Sequence, residues 1–392
     1  MQNHRRSLLL LITVFFWFAA YTYVPTLGPY AQTLGASYDL IGLILGSYGA
    51  VQFLLRVPVG LCSDALGRRK VFVIAGAALA AASAFGMWAQ PDAWALLFYR
   101  ALSGAAAAAW VAYTVLFAAY YPAHDSPKAM GYINSAAAVG QVSAMFLGGL
   151  AAEWYGLAEP FLLAAAGGCV ALILSFFVVD EVTPAKPVDT GSLAEIARDG
   201  PFLRLCFLGS LFQVLTFATV FGFSPLAAKT LGAGGFELGL LTTVAILPSI
   251  AAAALSGTLF RRRFGEAGTL AGGFIFMGLS SVTIPLCTTL PALYISQMAA
   301  GFGRGLIMAL LMGLSIKNFP AEKRATAMGF YQAAYAVGMF IGPVFTGLIA
   351  GWLDLNSGFL VIGLAGLAGA WLSLRRGFLP ASSAPASGNN AQ

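Results

Sequence analysis

Charge is what this chain of 392 residues has least of: 9% of its residues are charged and 59% are hydrophobic, with a mean hydropathy of +0.82. A soluble domain of that length could not cover its surface with so few charges, so a water-soluble protein is excluded. Histidine is nearly missing, with His4 and His124 both at polar segment ends. The four cysteines, Cys62, Cys169, Cys206 and Cys287, stand singly in or beside apolar stretches. Their spacing suits no metal site, redox pair or disulfide framework. A glycine-rich phosphate loop ending in Lys-Ser/Thr is also missing, which excludes drive by a nucleotide bound in that way. Carboxylates are lacking from the middle of every apolar stretch, since all 15 acids fall in loops or near stretch ends. A membrane enzyme would need a catalytic cluster that these residues do not supply. The chain is therefore read as a non-enzyme with no cofactor and no metal.

What is present is apolar length. A helix needs ~20 apolar residues to cross the hydrocarbon core. Twelve stretches qualify, at roughly 8–34, 40–62, 71–90, 94–120, 128–152, 157–179, 203–230, 237–259, 268–289, 292–316, 325–351 and 357–374. They are numbered here as spans 1 to 12. The fold class is an all-α polytopic membrane protein. Span 1 is too long for a secretory signal and is read as an uncleaved helix. Of 21 Lys and Arg, 17 fall on one side of this arrangement, and the opposite loops carry only Lys229. The positive-inside rule then puts both termini in the cytoplasm and the chain in a plasma (inner) membrane. It also accounts for the net charge of +6 without a nucleic-acid partner.

The chain contains itself twice. Tyr30–Leu43 (YAQTLGASYDLIGL) returns at an offset of 197 as Ala227–Leu240 (AAKTLGAGGFELGL), and Pro122–Trp154 returns at 198 as Pro320–Trp352. Met130, Gly131, Gly140, Gly149 and Trp154 recur as Met328, Gly329, Gly338, Gly347 and Trp352. Duplicated halves in a membrane protein build a substrate path at their interface. The expected division is an N-terminal half at 1–180, a cytoplasmic linker at 181–201, a C-terminal half at 202–376 and a disordered tail at 377–392. Within the linker, Leu193–Arg198 suits a short surface helix.

The loop between spans 2 and 3 reads Gly60–Lys70, GLCSDALGRRK. Gly60 permits close helix approach. Asp64 can pair with Arg68 or cap a neighbouring helix N-terminus. Gly67 allows a tight turn, and Arg68, Arg69 and Lys70 hold the loop in the cytosol. A positive-inside turn alone would look similar. The spacing Gly60, Asp64, Gly67, Arg68, Arg69 nevertheless resembles the loop signature of the major facilitator superfamily, with Ala65 departing where a basic residue is usual. The resemblance covers the whole chain: twelve spans, two six-helix halves and a polar linker. It implies that Asp64 and Arg68 act as gating residues that latch the cytoplasmic side. The second-half copy, Gly257–Gly265, carries Arg261 in place of the acid, which implies a one-sided latch. In spans 5 and 11 the small residues Gly140, Gly338, Gly342 and Pro343 partly match the glycine pattern of antiporters of this family. Ordinary helix packing would explain them equally.

Arginines lie inside the spans at Arg56, Arg100 and Arg304. An intramembrane charge costs ~2.5–3.5 kcal/mol unless it meets water, a partner or a ligand. Arg304 stands among Gly301, Gly303 and Gly305, which lower the bulk around it and could let it face a cavity. Its guanidinium suits bidentate contact with an anionic substrate; backbone carbonyls or water are the alternative. Arg56 can reach the inner interface by snorkelling. The resemblance implies that spans 1, 4, 7 and 10 line the cavity, which favours Tyr21, Arg100, Gln213 and Arg304. Asn134, Gln332 and Tyr335 are further substrate-site candidates, and Asn134 and Gln332 are repeat equivalents. The expected function is secondary active transport of a small molecule by alternating access, as a monomer among membrane lipids. Proton-linked export of drugs or metabolites is one form, with protons as coupling ion. Uptake or exchange of a small organic anion is another, and a lipid flippase or a transport-dead sensor is a minor alternative.

Overall fold

The computed structural model describes residues 2–122, 125–181, 194–320 and 323–379. Among the described residues all regular structure is helical, and ten helices are long and apolar enough to cross a membrane. One of these, Gly235–Leu286, is 52 residues long and turns back at Gly265, where φ is +70°, so it supplies spans 8 and 9. The shorter apolar helix Glu159–Ser175 is span 6. The total of twelve agrees with the apolar stretches in the sequence. Helix N-termini at loops use the acids that the spans exclude. Asp92 accepts from the Trp94 and Ala95 amides at 2.9 Å, and Asp199 accepts from that of Phe202 at 2.7 Å. Asp354 accepts from Ser357, and this bond holds its carboxyl below the usual carboxylate range.

Helix separation is set by glycine. A Cβ on Gly104 of span 4 would lie 2.5 Å from the Tyr48 carbonyl oxygen of span 2; one on Gly301 of span 10 would lie 1.7 Å from that of Ala245 in span 8. Gly104 and Gly301, like Tyr48 and Ala245, are repeat equivalents at an offset of 197. The same holds elsewhere. Gly140 seats span 5 on Val14 of span 1, and Gly338 seats span 11 on Ser210 of span 7. Gly168 meets Ala81, and its equivalent Gly366 meets Gly278. Lipid tails are as apolar as leucine, so close backbone packing replaces the hydrophobic drive that would join helices in water.

Two seams join the halves. Span 2 runs along span 11: Gly42 faces the Pro343 carbonyl, Gly46 faces that of Phe340, and Gly49 faces Met339. Span 5 meets span 8 where Gly149 and Gly239 touch, a Cβ on either lying 2.6 Å from the other's Cα. Both contacts lie in the part of the bundle away from the basic loops. Phe236 donates its amide to Glu153 across the second seam at 3.2 Å. Towards the basic end the glycines change character. Gly131, Gly257, Gly313 and Gly329 have nothing within 4 Å of an added Cβ. The glycine seams between the halves thus lie at one end, the sealed end, and these four span glycines towards the basic loops are open. Trp154 and Trp352 are largely exposed at the sealed end, as aromatic belt residues are.

The linker and tail are pinned where they are described. Of the helix expected over Leu193–Arg198, Leu193 lies outside the described residues, residues 194–196 are helical and 197–198 turn, and Ile196 is fully buried in the main core. Residues 182–193 and 380–392 lie outside the described residues. Arg204 donates to the Gly377 carbonyl, which ties the start of the expected tail to span 7.

Gly301→Ala should lower stability by ~1–3 kcal/mol, because the opposing Ala245 carbonyl is backbone and cannot swing aside. Gly272→Ala, with open space around it, should leave the midpoint unchanged. Thermal unfolding in detergent reads both, and equal midpoints would contradict this packing.

Candidate functional site

Three of the spans that approach the centre, 1, 4 and 7, are interrupted there. Span 1 is helical over Gln2–Tyr21 and again over Val24–Thr33. Span 7 widens into a π turn at Thr219–Phe223 before Ser224–Thr230. Proline accounts for both breaks: Pro25 and Pro225 cannot donate to the carbonyls four residues earlier, those of Tyr21 and Phe221. Span 4 pauses at Ala109 between Ala93–Ala108 and Trp110–Ala119, while span 10 runs unbroken over Leu290–Lys317.

Around these breaks the three intramembrane arginines gather aromatic partners. Arg100 donates to the Tyr23 hydroxyl at 3.2 Å, and its guanidinium lies 4.2 Å from the Tyr48 ring centroid. Arg304 donates to Ser249 at 3.0 Å and lies 5.4 Å from the Phe221 ring. Arg56 does not snorkel: it is 4% exposed and donates at 3.3 Å to the Tyr335 hydroxyl across the seam between halves. Nearby, Gln52 reaches the Met339 sulfur. Tyr21 packs on Trp17 at 5.5 Å and on Phe221 at 5.6 Å, with Arg100, Arg304 and Tyr335 in electrostatic reach of its hydroxyl. The Nε atoms of Arg56, Arg100 and Arg304 are buried with no hydrogen-bond partner. Ion pairs lie elsewhere, among them Arg5–Glu181, Arg261–Glu266, Lys317–Glu266 and Lys323–Glu195. The centre therefore holds a cluster of positive charge with aromatic walls.

The structure thus brings together Tyr21, Arg100, Arg304 and Tyr335. Gln213 is buried in span 7, and Gln332 is half-buried in span 11. Asn134 is exposed towards the basic end of span 5 and donates to the Met130 carbonyl of its own helix. The glycines beside Arg304 do not make room for it, contrary to the sequence expectation. Gly301 and Gly305 press on span 8 and Gly303 on span 9. Sequence reasoning missed Tyr48, Phe217, Phe221 and Ser249. A signal was available: at repeat offsets of 197 to 198, Tyr21, Phe217, Arg56, Arg304 and Tyr335 each stand opposite an alanine. The centre is built from positions where the duplicated halves differ.

At the basic end, Gly60 is half-buried in the last turns of span 2 and Gly67 turns the chain with φ +60°. Arg68 is exposed and Arg69 is buried; the Asp64 side chain lies outside the described residues. The start of span 3 is capped by Asp180, which accepts from the Arg69 and Lys70 amides at 3.1 and 3.2 Å. In the second half, Glu266 accepts from Lys317 at 3.1 Å and pairs with Arg261 at 3.4 Å. The acid lacking from the loop pattern of that half is supplied by the next helix. These groups and Arg324 rim a cavity of about 520 Å³ between spans 8, 10 and 11.

The chain's likenesses agree with this architecture. The model of the Major Facilitator Superfamily matches residues 9–230 and 206–392. An uncharacterized MFS-type transporter of Methanocaldococcus jannaschii is 25% identical over 352 residues, covering 85% of this chain and 88% of that one. A multi-drug resistance efflux pump PmrA homolog of Lactococcus lactis is 27% identical, covering 91% of each. Among solved structures, an inward-facing, occupied bacterial homolog of the human lysosomal transporter Spinster superposes with a TM-score of 0.77 at 15% identity, covering 95% of this chain and 96% of that one.

Tyr335→Phe removes the acceptor of a buried, charged donor, so it should destabilise the protein by ~1.5–3 kcal/mol. Thermal unfolding of the variant checks this, and an unchanged midpoint would show that the seam does not depend on the bond.

Proposed function

Because the chain belongs to the Major Facilitator Superfamily and is a membrane transporter, we propose that it exports small organic anions through the central arginine-and-tyrosine site. The observation that carries this reading is the set of three guanidinium groups in the middle of the bundle, each with an unpartnered Nε and none paired with a carboxylate among the described residues. An uncompensated charge at that depth is costly, and an anion that binds there lowers the cost. A cation would raise it. In this reading the basic loops and both termini face the cytoplasm of a plasma membrane, the sealed end is external, and the structure is inward-facing. Breaking the span 2–11 and span 5–8 contacts at the sealed end, and closing the open glycine faces at the basic end, would expose the site outwards. The loop at Gly60–Lys70 and the Arg261–Glu266–Lys317 cluster would stabilise that second state, with Asp64 and Arg68 as gating residues. The protein acts as a monomer.

Export rather than uptake rests on the efflux-pump relative. The same relative favours a second reading, proton-linked export of drugs or metabolites. With no acid at mid-span, such coupling would have to use a group outside the centre or a proton carried by the substrate.

Purified protein in liposomes, preloaded with labelled benzoate and given an imposed pH gradient, separates the two readings. Arg304→Ala should lower benzoate movement, measured above the leak of protein-free liposomes, and Arg304→Lys should keep more of it, since the point charge survives without the bidentate fork. Undiminished benzoate transport by Arg304→Ala would end the anion reading. Transport that ignores the pH gradient would end proton coupling.

A further inference from the structure

Arg100 and Arg304 come from different halves, and a row of aromatic rings joins them. Arg100 of the first half lies over Tyr48 at 4.2 Å. Tyr48 stacks on Phe217 with centroids 6.1 Å apart and planes 19° apart. Phe217 meets Phe221 edge-on at 5.5 Å, and Arg304 of the second half lies over Phe221 at 5.4 Å. All three rings are at most 5% exposed. From this row we infer that the site selects aromatic dianions, with one anionic group for each of Arg100 and Arg304 and a flat body lying along the rings between them. The inference rests on the anion reading above and names its substrate class.

Charge sets the number of anionic groups. Each guanidinium rests on a ring face, and a cation–π contact in a buried site offsets a positive charge only in part. A carboxylate accepts two parallel N–H bonds from a guanidinium and competes well for it. A monoanion can satisfy one arginine and leaves its partner on its ring. Arg56 is already engaged by Tyr335 across the seam and is not counted as a clamp.

Shape sets the body. The clamps are the first and last members of this sequence of contacts, so a ligand that engages both meets the rings between them. A rigid planar ligand keeps its charges apart without freezing rotatable bonds. Its faces and edges match the offset and edge-on geometries that the rings adopt among themselves. Since one clamp belongs to each half, a dianion also ties the halves together, whereas a monoanion holds only one.

The test uses purified full-length protein in detergent and three probes by calorimetry: biphenyl-4,4′-dicarboxylate, its monomethyl ester, and benzoate. The diacid and the ester share shape and differ by one charge, so wild type alone decides the main point. The diacid should bind about tenfold or more tighter than the ester, the scale of one charge-assisted contact. Arg100→Gln and Arg304→Gln should each erase that preference. Equal affinity for diacid and ester, or a preference that survives Arg100→Gln, would overturn the dianion inference while leaving anion transport intact. Failure of all three probes to bind would overturn both.

Discussion

Backbone contact at glycine is the constraint on which the molecule depends. In lipid no hydrophobic force draws one apolar helix to another, so the helices adhere by fitting closely. Where span 10 crosses span 8, the space for even one Cβ on Gly301 is taken by a carbonyl oxygen 1.7 Å away. The same contact recurs at Gly104 in the first half. Such contacts fix helix spacing without side chains, which frees side chains of other positions to face the centre. They also make the seams between halves shallow: where Gly149 meets Gly239 the contact is backbone on backbone, with the Phe236–Glu153 hydrogen bond beside it.

Charge is then distributed in two regimes. At the loops, acids cap helices and pair with bases, as with Asp92, Asp199 and the Glu266 cluster. In the middle, bases stand without acids. Arg56, Arg100 and Arg304 instead use hydroxyl groups and ring faces. Hydroxyls and rings accept a cation without neutralising it, so the centre keeps its appetite for negative charge. A carboxylate partner would have removed it.

Twelve spans, the sidedness of the basic loops and the pseudo-symmetry were legible in the sequence because each depends on local or periodic facts. Apolar length, lysine and arginine placement, and self-similarity at 197 to 198 residues need no tertiary information. Part of the centre was legible for the same reason, since an arginine within an apolar run stands out whatever it touches. Tyr48, Phe217 and Phe221 did not stand out. In a chain with 30 phenylalanines and 14 tyrosines, one aromatic is marked as a cavity wall only by comparing the repeats position by position, as with Phe217 opposite an alanine. The reading of Gly303 and Gly305 as space around Arg304 failed because a helical glycine's sequence neighbours lie on other faces. Glu266 and Asp180 were missed because their partners are distant in sequence or lie beyond the loop pattern that drew attention.

By itself, then, the sequence determined that this chain is a twelve-span, duplicated membrane protein with basic loops at one end and arginines buried in its spans. Hydropathy, charge and repetition act along the chain, so they can be read along the chain. The tertiary structure alone decided which end is sealed, that Arg56 bridges the halves rather than reaching the interface, and that Arg100 and Arg304 share one row of rings. Those facts depend on rotation of each helix about its own axis. That rotation is set by backbone contacts between helices far apart in sequence.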